Sequence, residues 1–249
     1  MRKGLILRGL LVALLVALVL RPELFTPLFA PFAPNGGPVI YQRTSLLSLS
    51  LSHLGLVAVA SGLATVVAVS LAILVTRPAG AAFRPLSRTI TNIGQTFPPV
   101  AVLALTVPVF GFGSGPTLVA LFLYGLLPVF ENAMTGFGTL PPRTMEAARG
   151  MGLTRWQQLW QVELPLAAPV ILTGIRLSVV ISLGTATIGS TVAAATLGEV
   201  IIAGLLTDNT AYVLQGGLIV GIFAVLLYDA LVLVERALAR RMGRVQQAA

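Results

Sequence analysis

The sequence predicts an all-α membrane protein with six transmembrane helices, and three observations carry that prediction. Hydrophobic residues fill 56% of the 249 positions and charged residues only 10%, giving a mean hydropathy of +0.94, outside the range of soluble globular chains. Five apolar runs, at about 46–75, 89–111, 117–135, 166–192 and 212–234, meet or approach the roughly 20 residues a helix needs to cross a bilayer. The 16 basic residues sit in short clusters between those runs instead of along one face, so the net charge of +8 reports membrane topology and no nucleic-acid partner. Without cysteine the chain forms neither disulfides nor thiolate metal sites.

Taken in order, the first apolar run, about 5–20, is shorter than the others and follows Arg2, Lys3 and Arg8. It fits either a retained helix or a signal peptide cleaved near Ala30 or Ala33. Residues 21–45 carry prolines and a Gly-Gly pair that oppose regular helix over most of their length, and they read as an extracytoplasmic loop. GFGSGP at 111–116 reads as a tight outer turn. Residues 193–211, with Glu199 and Asp208, are too short to cross twice and suit a re-entrant or interfacial hairpin.

Orientation follows from charge. With a cytoplasmic amino terminus, the inner segments hold Arg2, Lys3, Arg8, Arg77, Arg84, Arg88, Arg143, Arg149, Arg155, Arg176, Arg236, Arg240, Arg241 and Arg244, while Arg21 and Arg43 alone fall outside. That asymmetry places both termini in the cytosol.

One inner segment differs from its oily surroundings: EAARGMGLTRWQQLWQVELP, residues 146–165. Pro141-Pro142 stops the preceding helix and opens a short one carrying Glu146, Ala147 and Ala148. Gly150 and Gly152 interrupt it, and Thr154-Arg155-Trp156-Gln157 has capping-box spacing, starting a second helix that Pro165 is expected to end. Trp156, Leu159, Trp160 and Val162 form an oily face beside Gln157, Gln158 and Gln161. The pattern fits an amphipathic connector resting its tryptophans among lipid headgroups, and equally a docking knob for a cytosolic partner.

Glu146-Ala147-Ala148, three residues, Gly152, a helix and Leu164-Pro165 resemble the EAA loop of binding-protein-dependent ABC importer permeases. SHLGLV (52–57), GQTFPPVAVLAL (94–105), GFG (111–113), ALFLYGLLPVFEN (120–132), LPLAAPVILTGIR (164–176) and ATIGSTVAA (186–194) are similar to the osmoprotectant branch, which imports glycine betaine, choline and carnitine. The resemblance covers about 46–235 and implies a type I ABC importer permease (MetI-like) fold in a bacterial inner membrane. It divides the chain into an N-terminal helix and loop (1–45), a core permease domain (46–235) with its coupling loop at 141–165, and a basic cytoplasmic tail (236–249). It further implies a cytosolic ABC ATPase subunit docking on Glu146, Ala147, Ala148, Gly152, Leu164 and Pro165, an extracytoplasmic solute-binding protein, and a second permease subunit forming a homodimer. No cofactor is bound by this chain; ATP is used by the partner. Where the family has a Gly-Ala-Gly-Gly-Leu-Gly run, this chain has Ala193-Ala194-Ala195-Thr196-Leu197-Gly198, and Glu131 stands where a basic or neutral residue is expected.

Small residues recur every fourth position at Gly174, Ser178, Ser182, Ala186, Ser190 and Ala194. On one helix they form a stripe suited to close packing, to a dimer contact or to a translocation path. His53, the only histidine, either hydrogen-bonds a neighbouring carbonyl or lines a substrate path. Glu131 and Asp229 lie toward inner ends of their spans and read as structural. With Trp156 and Trp160 both cytoplasmic, an aromatic cage for a quaternary ammonium would use phenylalanine or tyrosine, or lie in another protein.

Two other classes fit less well. The only lysine, Lys3, leaves no Walker A motif, so the chain is no ATPase; no Gly-x-Ser-x-Gly supports an intramembrane serine protease. An ion-coupled secondary transporter would show inverted repeats and midplane charges, which are not seen. A permease of the same family for another amine or amino-acid-like solute is the remaining alternative.

Overall fold

The computed structural model describes residues 2–241, so Met1 and the end of the basic tail, including Arg244, lie outside the described residues. Every regular element among them is helical: α1 (Arg2–Leu20), α2 (Leu46–Thr76), α3 (Arg84–Thr96), α4 (Pro99–Phe110), α5 (Ser114–Gly138), α6 (Pro142–Gly150), α7 (Arg155–Gln158), α8 (Leu164–Ala186), α9 (Gly198–Leu206) and α10 (Thr210–Arg241), with short 3-10, α and π turns between them. Four stretches are long and apolar enough to cross a membrane, and the number rises to six if two bent pairs each count as one crossing.

Prolines account for most departures from the sequence reading. The run at 89–111 is not one continuous helix, because α3 ends at Thr96 and Pro98-Pro99 opens α4. A proline offers no amide to the preceding turn and forces the residue before it out of the helical region. Residues 22–32, expected to be mostly loop, instead make three successive helical turns, each with a proline in its first two positions. There the missing amide is one the helix start leaves unpaired anyway. The remainder of that segment, 33–45, is irregular as expected.

The described chain divides into two compact units. The first comprises residues 1–60, 97–121 and 179–228. Its larger core gathers Leu18, Phe29, Tyr41, Leu49, Leu197, Tyr212 and Ile219, and a smaller cluster joins Leu56, Val57, Leu121 and Leu183. The turn expected at 111–116 is shorter, spanning 111–113 with Gly111 and Gly113 at positive φ, since Ser114 already opens α5.

The second unit comprises residues 61–96, 122–178 and, of the described residues, 229–241. Ala64, Ala68 and Ala72 form a stripe on α2 with no exposed surface. They let α5 and α8 approach without the bulk of longer side chains. A Cβ at Gly125 of α5 would lie 2.6 Å from the Ser178 hydroxyl and 3.1 Å from the Ala64 Cβ, so glycine is required where these three helices meet. Leu126, Phe130, Leu159 and Ile171 complete this core.

Candidate functional site: the 141–165 loop

The loop lies wholly in the second unit. Pro141 caps α6 and Pro142 occupies its first turn. Glu146 and Ala147 face outward, whereas Ala148 is buried. Glu146 forms no ion pair among the described residues, so its charge anchors nothing within this chain.

The turn that ends α6 is a Schellman motif. The Leu153 amide donates to the Ala148 carbonyl at 3.2 Å and the Gly152 amide to the Arg149 carbonyl at 2.9 Å. Gly152 sits at φ +76. These two bonds satisfy carbonyls that a helix end leaves open, and the left-handed residue between them is almost always glycine. Crowding is not the reason, because a Cβ at Gly152 would have no atom within 4 Å. Gly150 remains within the helix and does not break it.

Thr154 then forms the expected capping box. Its hydroxyl accepts the Gln157 amide at 3.3 Å, and the Gln157 side-chain oxygen accepts the Thr154 amide at 2.9 Å. The next helix does not stop at Pro165. A π turn over Leu159–Glu163, closed by the Leu164 amide on the Leu159 carbonyl, feeds directly into α8. Pro165 has no N–H to give, so one carbonyl of the preceding turn lacks its helical donor, and the widened π turn sits where the chain passes through that proline.

The buried side of this second helix is Leu159 and Glu163, four residues apart, and not the tryptophan face. Trp156 and Trp160 are 68% and 56% exposed and meet edge to face at 5.6 Å between ring centres. Glu163 is held by Arg77, which follows α2, through two guanidinium nitrogens, one of them at 3.0 Å. The loop is therefore fixed at its base by an ion pair and by Leu159 in the core, while Glu146, Met151, Trp156 and Trp160 point away from the chain. Neither half of the Arg77–Glu163 pair is apparent from motif reading. Its signal is a carboxylate at helical spacing from a core leucine, a position that demands a cationic partner.

Other candidate residues resolve differently. Ser178, Ser182 and Ala186 are fully buried within this chain, and a Cβ at Gly174 would lie 2.6 Å from the Pro128 carbonyl oxygen. The stripe is not continuous. The α-helix ends at Ala186, Ser190 lies on a 3-10 turn where fourth-residue spacing no longer aligns, and Ser190 bonds the Thr196 hydroxyl at 2.8 Å. His53 belongs to the first unit and has no exposed surface. Its Nε2 lies 3.1 Å from the Leu183 carbonyl oxygen and its Nδ1 accepts the Leu197 amide at 3.3 Å, so both ring nitrogens are used within the chain. Glu131 pairs with Arg88 at 2.7 Å through both carboxylate oxygens.

In the first unit, Glu199 of α9 is fastened to the 33–45 segment. One carboxylate oxygen accepts the Tyr41 hydroxyl at 2.5 Å and the Thr44 hydroxyl at 2.6 Å. Burial, then the hydrogen bond and charge of Glu199, push the Tyr41 pKa up to about 12, so the phenol keeps its proton at any physiological pH. In the segment at 193–211, read from the sequence as a hairpin, the regular element is the helix Gly198–Leu206, with Ala193 and Asp208 at positive φ on either side of it.

The family described as binding-protein-dependent transport system inner membrane component matches residues 64–244. The osmoprotectant import permease protein OsmY of Salmonella typhimurium is 40% identical over 75% of this chain and 79% of its own length. The glycine betaine/carnitine/choline transport system permease protein OpuCB of Bacillus subtilis is 36% identical over 81% of this chain and 89% of its own. A chain of the MetNI methionine ABC transporter, solved in an inward-facing conformation, shares the fold with a TM-score of 0.67, covering 80% of this chain and 99% of that one at 22% identity. The chain belongs to the binding-protein-dependent transport system inner membrane components, a family of ABC transporter permeases.

Proposed function

We propose that this chain is the membrane-spanning subunit of an ATP-driven importer of osmoprotectants such as glycine betaine or choline. The observation that carries the reading is the loop at 141–165, a compact pair of short helices braced by Arg77–Glu163 and Leu159, with an exposed carboxylate at Glu146 and two exposed tryptophans. Such an element transmits a push only if something grips it, and the chain carries no nucleotide motif of its own. The grip comes from a cytosolic ABC ATPase subunit, which uses the ATP, docking on α6 and the Gly152 turn. An extracytoplasmic binding protein delivers the solute, and two copies of this chain form the permease, with both termini cytoplasmic.

Closure of the ATPase pair draws the two loops together. The continuous path from α7 through the π turn into α8 carries that movement into the spans. Residues 46–235 act as the permease core, preceded by an N-terminal helix and extracytoplasmic loop over 1–45. The relatives named for osmoprotectants support the solute class. Reconstitution with the ATPase and binding protein tests it. Glycine betaine or choline should stimulate ATP turnover, and stimulation by amino acids alone would move the solute class elsewhere within the family.

A further inference from the structure

The first unit holds a cavity of about 490 Å³ at the junction of the 33–45 segment with the start of α10. Pro34, Pro38, Ile40 and Tyr212 supply apolar wall, and Gln42, Arg43 and Asn209 supply polar groups. Arg43 is the only charged residue lining it and makes no ion pair among the described residues. The positive end of α10, a 32-residue helix beginning at Thr210, adds to the same sign of potential. A cation is unwelcome here. Aromatic faces that would hold a quaternary ammonium are missing as well, since Tyr41 and Tyr212 meet edge to face at 5.3 Å and are 3% and 6% exposed.

The wall is held in shape by bonds that do not involve Arg43. The Asn209 side-chain amide donates to the Pro38 carbonyl at 2.8 Å, and the Tyr41 amide donates to the buried Gln215 side-chain oxygen at 3.0 Å. The backbone leading to Arg43 is therefore held in place, and the exposed guanidinium is left available for a planar two-oxygen partner.

We infer that this cavity is a solute subsite that receives a carboxylate on Arg43, which selects betaine-type zwitterions over choline. The inference rests on the importer reading above and narrows its substrate class. Glycine betaine and choline share the trimethylammonium group and differ in the carboxylate, so the pair isolates the contact.

The test uses the purified permease in nanodiscs without binding protein, with saturation-transfer NMR of glycine betaine and of choline as probes. Glycine betaine should give signals that Arg43→Gln reduces at least tenfold and Arg43→Lys reduces less, while choline gives none. Because Arg43 is exposed on an irregular segment, both variants should elute and melt like the parent. Equal signals from the two probes, glycine betaine signals unchanged by Arg43→Gln, or no signal from either would each overturn the subsite. A carboxylate supplied by an acidic side chain of the docked binding protein would appear as loss of docking in Arg43→Gln without any glycine betaine signal, and that outcome also overturns it. Solute-stimulated ATP turnover of the whole assembly is scored separately. If turnover responds to solute while the nanodisc signals fail, the subsite falls and the importer reading stands; if no osmoprotectant stimulates turnover, the importer reading itself falls.

Discussion

Arg77 closes on Glu163 through two guanidinium nitrogens, joining the residue after α2 to the last turn before α8. The Glu163 side chain is 8% exposed and that of Arg77 31%. Removing one partner strands a buried charge, which costs about 3–5 kcal/mol, and the partial exposure of Arg77 places the effect at the lower end. Arg77→Met and Glu163→Leu should each lower the unfolding midpoint in detergent, and the double variant should recover most of the loss. Additive losses would mean that the two residues act independently.

At Gly152 the demand is conformational. Because a Cβ there meets no neighbour and only the left-handed φ is strained, Gly152→Ala should cost about 1 kcal/mol, Gly152→Asn less, and Gly152→Val more. Uptake should fall in the same order. A ranking by side-chain volume, with Asn as harmful as Val, would point to contact with a partner surface instead.

Ala193 occupies φ +63 where the resembling family carries glycine-rich sequence. Ala193→Gly removes left-handed strain but adds freedom to the unfolded chain, for a net stabilisation of about 0.5–1 kcal/mol. Thermal unfolding of the purified variant checks the sign. A lower midpoint would show that the alanine methyl group makes a contact worth more than the strain.

The Tyr41–Glu199 bond titrates in a defined direction. The pKa of Tyr41 is raised in the folded state, so the protonated phenol is the stabilised form. Its contribution is complete below about pH 10, the ordinary tyrosine value, and is lost as pH rises toward about 12. Stability measured across that window should fall, and Tyr41→Phe, already lacking the bond at pH 7, should show a smaller fall.

The membrane class, the loop, its glycine turn and its capping box were legible because each rests on a local rule: an apolar run, a proline at a helix start, a threonine three residues before glutamine. Pro98-Pro99 splits a run whose first part, at 89–96, is already largely polar, so the break was visible in the sequence, though not from run length alone. The oily face of Trp156 and Trp160 was legible, but not that the side buried in the chain is Leu159 and Glu163, because Arg77, some 86 residues away in sequence, neutralises the carboxylate. Long-range pairs of this kind, like Tyr41 with Glu199 at 158 residues' separation, leave no periodic trace. His53 was weighed as a path residue, and only the positions of Leu183 and Leu197 reveal both ring nitrogens to be occupied.

The most direct measurement of the loop's coupling role is a photo-cross-linker at Ala147, exposed on α6, in the assembled importer, with Leu24 of the 22–32 turns as control. An adduct with the ATP-hydrolysing subunit at position 147, changing in yield when ATP is added and missing at position 24, is the expected result. Active, solute-stimulated assemblies whose position 147 yields only lipid adducts would contradict it.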